Sequence, residues 1–139
     1  MTNVSVTKSI NVSANDAWAK LAAFGGIEHF SPIEKSITEG EGVGAKRTCI
    51  MPDGAEINEV LNKLDNDNMH LEYEILTGPF PMTDYISDVN VKVIDAENCE
   101  ITWSSNFNPN EGAEDQMNEI LNGFYNTMID GLETLIKQN

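Results

Sequence analysis

Arg47 and Glu59 flank the tripeptide Pro52-Asp53-Gly54, and their types and spacing could do chemistry. Proline suits the first corner of a type I turn, and glycine suits the left-handed third position of a three-residue loop. Such a loop pairs Met51 with Ala55 and sets Arg47 opposite Glu59 on the neighbouring strand. Glu59 alternates in step with Ile57 and Leu61, so both charges are predicted to point inward. An inward guanidinium–carboxylate pair can anchor a ligand carbonyl or carboxylate, or act as an acid/base group. It can equally be a structural ion pair, kept because losing one partner strands the other charge. Tyr73, Tyr85 and Trp103 also fall on inward strand positions, either as plain core or as cavity walls with a polar handle.

The remaining reactive residue types offer less. His29 ends a short helical turn and His70 opens a strand on its polar face, so both read as surface residues. Cys49 and Cys99 lie inside strand-like runs with no further ligand at metal spacing, which predicts buried free thiols in a cytoplasmic protein. The chain has no Gly-rich phosphate loop, no local Ser/His/Asp or Cys/His arrangement and no metal-ligand spacing. The expectation is therefore no cofactor and no metal. Lys and Arg number 8 against 23 Asp and Glu, a formal charge of −15. A phosphate backbone would be repelled, which argues against nucleic acid as a partner. No apolar run approaches the roughly 20 residues of a membrane span. The opening MTNVSVTKSI lacks the basic flank and apolar segment of a secretory signal. A cytoplasmic location and a monomer are the expectations.

These side chains need elements to place them. The length predicts one domain over residues 1–139. Val4, Val6, Ile10 and Val12 alternate as an opening strand, with Lys8 interrupting its apolar face. Ser13 can cap a helix, with Asp16 three residues on. Trp18, Leu21 and Ala22 line that helix as packing residues, and Gly25-Gly26 should end it at a left-handed position. Ile27 to Phe30 make at most one more turn before Pro32. Strands are predicted over Ile33–Thr38, Lys46–Met51, Glu56–Leu64, His70–Leu76, Tyr85–Val93 and Cys99–Phe107. Pro79 and Pro81 forbid ladder bonds between the fourth and fifth of these. From about Gly112 to Lys137 the pattern is helical, with Met117, Leu121, Phe124, Met128 and Leu132 on its apolar face. That face covers about half the circumference, against a stripe of about 100° for a helix lying on one sheet. The order predicts an α+β fold in which a seven-stranded, strongly bent antiparallel sheet grips the long helix and two short helices close one end.

The stretches SINVSANDAWAKLAAFGGIEHFSPIEKS, GEGVGAKRTC, INEVL, LTGPFPMTDY and ITWSSNF, followed by the long helix, carry a resemblance. In this order, across essentially the whole chain, they resemble the helix-grip fold of the START-like superfamily. Within it, the chain is most similar to the bacterial polyketide cyclase/dehydrase branch of small SRPBCC proteins. One departure is Phe30, which stands where that branch usually has Trp and so changes the shape of a pocket wall. The resemblance implies a deep apolar cavity between sheet and terminal helix, used for hydrophobic small molecules. It does not imply one reaction, so function rests on the site.

The wide apolar arc predicts a cavity of several hundred Å³, the usual scale for small-molecule sites. Its expected walls are Phe24, Phe30, Tyr73, Tyr85, Trp103, Phe124 and Met128, with Arg47 and Glu59 as a polar floor. Leu121 and Leu132 could instead collapse inward and fill it, because interiors are close-packed by default. The leading function is binding of a hydrophobic small molecule such as a lipid, polyketide or aromatic metabolite, for transport or sequestration. The alternatives are a cyclase/dehydrase-type enzyme using Glu59, Arg47 and Tyr85, and a partner-binding module using the acidic exterior.

Overall fold

Turn chemistry and period-2 alternation produce a meander closed by a helix. The computed structural model describes residues 1–138. Its elements are β1 (Thr2–Ile10), α1 (Ala14–Ala22), a 3₁₀ turn (Ile27–His29), then β2 (Lys35–Glu39), β3 (Lys46–Ile50) and β4 (Glu56–Asp65). After these come β5 (His70–Thr77), β6 (Met82–Asp95), β7 (Asn98–Pro109) and α2 (Glu114–Lys137). One seven-stranded sheet runs β1-β7-β6-β5-β4-β3-β2, antiparallel throughout. The α+β architecture is the one expected from element order, and the sheet gripping a long helix is the helix-grip arrangement that the resemblance implies.

Local signals act largely as read. Ser13 Oγ accepts from the Asp16 amide at 3.1 Å and caps α1. In the β3–β4 loop, Gly54 is left-handed at φ 91°, and the Met51 amide donates to Ala55 O at 2.8 Å. Trp18 is buried in α1 and donates from its indole to Asn66 Oδ1 at 2.9 Å. Lys8 reaches out of β1 to Asp130 on α2.

The end of α1 departs from expectation. Phe24, not Gly25, takes the left-handed conformation, at φ 63°, and Gly26 follows at φ 76°. Left-handed backbone is costly for a bulky residue, so other contacts must hold it there. They come from Arg47, described below. Gly25 serves a different need: a Cβ there would lie 2.9 Å from Thr38 Oγ1.

The concave face of the sheet and one face of α2 form the core, in which Ile101, Phe107, Met117, Ile129 and Leu132 are fully enclosed. At Gly131 the helix meets the corner after the 3₁₀ turn, where an added Cβ would sit 2.5 Å from Phe30 O. Only a glycine allows that approach. Among the described residues no helix is long and apolar enough to cross a membrane.

Candidate ligand-binding site

The β3–β4 register pairs Arg47 with Glu59, as the loop chemistry predicts. Both side chains are buried, and Arg47 Nε donates to Glu59 Oε1 at 2.6 Å. Arg47 Nη1 donates to Phe24 O at 2.8 Å. Its guanidinium carbon lies 4.0 Å from the Phe24 ring centroid and 5.1 Å from that of Tyr73. Arg47 therefore holds Phe24 by carbonyl and ring together, which sustains the left-handed backbone at that residue. Burial, the largest single influence, disfavours the guanidinium charge, but Glu59, Cys49 and Tyr73 together outweigh it and the Arg47 pKa moves up. Among the described residues, Arg47 Nη2 is a buried donor with no hydrogen-bond partner.

Cys49 adds to this cluster, donating from Sγ to Glu59 Oε1 at 3.3 Å. Burial, then the Glu59 charge, push its thiol far up. It is a neutral donor and no nucleophile. Cys49 and Cys99 are both free and buried, and among the described residues no group of ligating side chains could hold a metal.

All three tyrosines of the chain converge beside the ion pair. Tyr73 packs against Phe24 and Tyr85 at centroid distances of 6.2 and 6.3 Å. Tyr73 OH accepts from Trp103 Nε1 at 3.2 Å. Tyr85 OH and Tyr125 OH are hydrogen-bonded to each other, and Tyr125 OH donates to Ser105 Oγ at 2.7 Å. Trp103 stacks on the Tyr125 ring at 5.9 Å. Burial is the first cause that raises all three phenol pKa values above the ordinary 10.0, followed by neighbouring charges and hydroxyls. At neutral pH these are hydroxyl donors rather than bases.

Alkaline pH offers a direct check. An unfolded tyrosine ionises near pH 10, whereas these three resist in the fold. Their contribution to stability is whole below about pH 10 and is lost as pH rises beyond it toward the folded-state values. Tyrosinate absorbance should therefore appear in one cooperative step, together with loss of far-ultraviolet circular dichroism. Gradual ionisation in a protein that stays folded would contradict the buried cluster.

The interior space is much smaller than expected. Between sheet and α2 it measures about 30 Å³, lined by Glu59, Tyr73, Tyr85, Phe124 and Met128 among others. A second void of about 10 Å³ is lined by Phe24, Phe30, Arg47, Tyr73 and Trp103. The several-hundred-Å³ cavity is corrected by these volumes. Leu121 lines the larger space, Leu132 is fully buried, and the close approach at Gly131 brings the helix down onto Phe30. The wide apolar arc of α2 is thus satisfied by packing. Tyr73 borders both spaces and divides the nine expected wall residues into two groups.

Sequence reasoning missed Tyr125, Ser87 and Ser105 as site residues. Ser87 and Ser105 are fully enclosed on inward positions of β6 and β7, a signal visible in the alternation. Tyr125 hides in the apolar stripe of α2. Of the histidines, His29 is exposed as expected, whereas His70 is half-buried and bonded to Asp88 at 2.8 Å.

A larger opening lies at the sheet's edge of order. β5 and β6 pair only as far as Glu74 and Ile86. Beyond that point Ile75 and Thr77 stay with β4, while Met82 and Thr83 stay with β7. A cleft of about 330 Å³ occupies the gap. Ile75, Phe80 and Tyr85 line both this cleft and the inner cavity.

The fold is shared with solved structures. Protein XoxI from Bacillus cereus superposes with a TM-score of 0.89 at 25% identity, covering 98% of this chain and 96% of its own. An uncharacterised protein from Bacillus thuringiensis gives 0.86 at 25% identity, covering 97% and 98%. Norcoclaurine synthase from Thalictrum flavum, solved with dopamine and hydroxybenzaldehyde, gives 0.79 at 20% identity, covering 99% and 87%, a likeness of fold alone. No curated protein matches the chain. The profile described as "polyketide cyclase / dehydrase and lipid transport" matches residues 1–137, and the chain belongs to that family.

Proposed function

We propose that this protein binds a hydrophobic small molecule in the interior between the sheet and α2. The observation that carries the reading is Arg47 Nη2, a buried guanidinium donor with no hydrogen-bond partner among the described residues, on a side chain that lines the small void beside Tyr73. Leaving such a donor unsatisfied is costly, and an acceptor oxygen on a ligand would relieve that cost. The void that Arg47 lines is otherwise walled by apolar and aromatic side chains, with Tyr73 and Lys20 as its other polar groups. Tyr73 joins it to the larger space, where Tyr85 and Tyr125 add hydroxyls, the usual make-up of a small-molecule site. The family description includes lipid transport, which fits a carrier or a sequestering protein.

A guest of ordinary size needs more room than about 30 Å³. Binding therefore requires α2 or the β5–β6 connection to move outward. Phe124 and Phe80, both partly buried against the core, are the side chains that would yield first.

Catalysis of the cyclase/dehydrase type is the second reading, because Glu59, Tyr85 and Tyr125 border one cavity. Their mutual bonds favour binding: Glu59 is held by Arg47 and Cys49, and the tyrosines by each other. An acid/base pair would need a group free to exchange a proton.

Titration with the neutral dye Nile red, following dye emission and Trp103 quenching, tests the reading. Saturable binding is expected, and Phe124→Ala should strengthen it by widening the space. Absence of saturable binding in both proteins would refute it.

A further inference from the structure

We propose that the gap between β5 and β6 is the seat of an amphiphile's head group, and that Glu74 and Asp84 select a protonated amine over a carboxylate. The inference rests on the binding reading above. Its geometric basis is that the cleft cuts through the sheet. Along β5, Ile75 shares the inward face of Tyr73, whereas Glu74 and Leu76 belong to the opposite face. Both sets line the cleft. Ile75, Phe80 and Tyr85 belong to both linings and so stand between the outer cleft and the inner cavity.

The parting of the strands is built into the chain. Pro79 and Pro81 cannot donate to a ladder. The β6–β7 register shifts between Thr83 and Ile86, and Asp84 takes a left-handed φ of 55° there. Asp84 accepts from Asn108 Nδ2 at 2.9 Å, which fixes its carboxylate at the rim. Among the described residues, the linings of the cleft and of the cavity next to it contain two carboxylates at the outer end and Glu59 at the inner end, while Arg47 and Lys20 line only the smaller void beyond Tyr73. Glu59 is already neutralised by Arg47. An alkyl or aromatic body entering past Phe80 would leave its polar head between Glu74 and Asp84. A carboxylate head would meet only like charge there, and an ammonium would meet complementary charge.

The test uses two dansyl-labelled long-chain probes of equal length, one ending in an amine and one in a carboxylate. Wild type should bind the amine about tenfold more tightly, the scale of two partly screened charge contacts. In Glu74→Gln/Asp84→Asn the two affinities should converge. Asparagine tolerates the left-handed backbone at position 84. A control, Glu97→Gln/Glu100→Gln at the opposite end of the β6–β7 hairpin, should keep the preference. Equal binding or carboxylate preference in wild type overturns the inference. Equal loss in the control also overturns it, because general surface charge would then be the cause. If Nile red binds and neither charged probe does, the inference fails and the binding reading stands. If none of the three binds, both fail.

Discussion

Arg47→Met should lower the free energy of unfolding by about 3–5 kcal/mol, the cost of leaving a buried charge without its partner. Glu59 would keep only the weak Cys49 donor, and the Phe24 carbonyl would lose its hydrogen bond from Nη1. An unsatisfied buried carbonyl adds about 1–3 kcal/mol to such a loss. The double variant Arg47→Met/Glu59→Leu should recover most of the deficit, because apolar residues of similar volume need no desolvation offset. Its residual cost should reflect Phe24 alone, still left-handed and no longer clamped. Urea denaturation of both variants decides the matter. A single variant no less stable than the double would mean that the pair is solvated.

The second large effect is a pair of glycine substitutions with opposite signs on one helix. Glycine inside a helix ordinarily costs about 0.5–1 kcal/mol relative to alanine. At Gly123 a Cβ would meet nothing within 4 Å, so Gly123→Ala should stabilise by that amount. At Gly131 the new atom would stand 2.5 Å from Phe30 O and 3.0 Å from Phe30 C, both backbone. Backbone cannot rotate away, so Gly131→Ala should destabilise by about 1–3 kcal/mol, the range for overpacking. Thermal melts should separate the two by several degrees, above and below wild type. Two shifts of the same sign would show that α2 does not close on the Phe30 corner.

Residues whose local chemistry dictates geometry were legible in advance. Pro52-Asp53-Gly54 determines loop length, loop length determines register, and register places Arg47 against Glu59. Alternation likewise revealed the inward faces of β5 to β7. What lay hidden depended on distance across the fold. The apolar arc of α2 has the same pattern whether it faces a void or packed side chains, and only tertiary contact at Gly131 decides. Tyr125 reads as one more stripe residue until Tyr85 and Ser105 are found opposite its hydroxyl. The prolines signalled a break between β5 and β6, but its extent depends on Asp84, whose left-handed backbone has no glycine to announce it.

The pairing of β1 with β7 sets an order of events on the ribosome. Thr2 lies opposite Phe107 and Ile10 opposite Cys99, so the first strand has no partner until the last strand has emerged. β2 through β7 can zip as successive hairpins while they are made, each closing a short loop. Residues 2–10 must wait, with their alternating Val4, Val6 and Ile10 exposed to other nascent chains. Lys8, which disturbs the apolar face of that strand and finds Asp130 only when α2 docks, places a charge in the segment that waits longest. A charge interrupting an unpaired apolar strand discourages strand-to-strand association between chains. The residue that interrupts the apolar face of the finished sheet thus sets a charge on that strand while it is still unpaired.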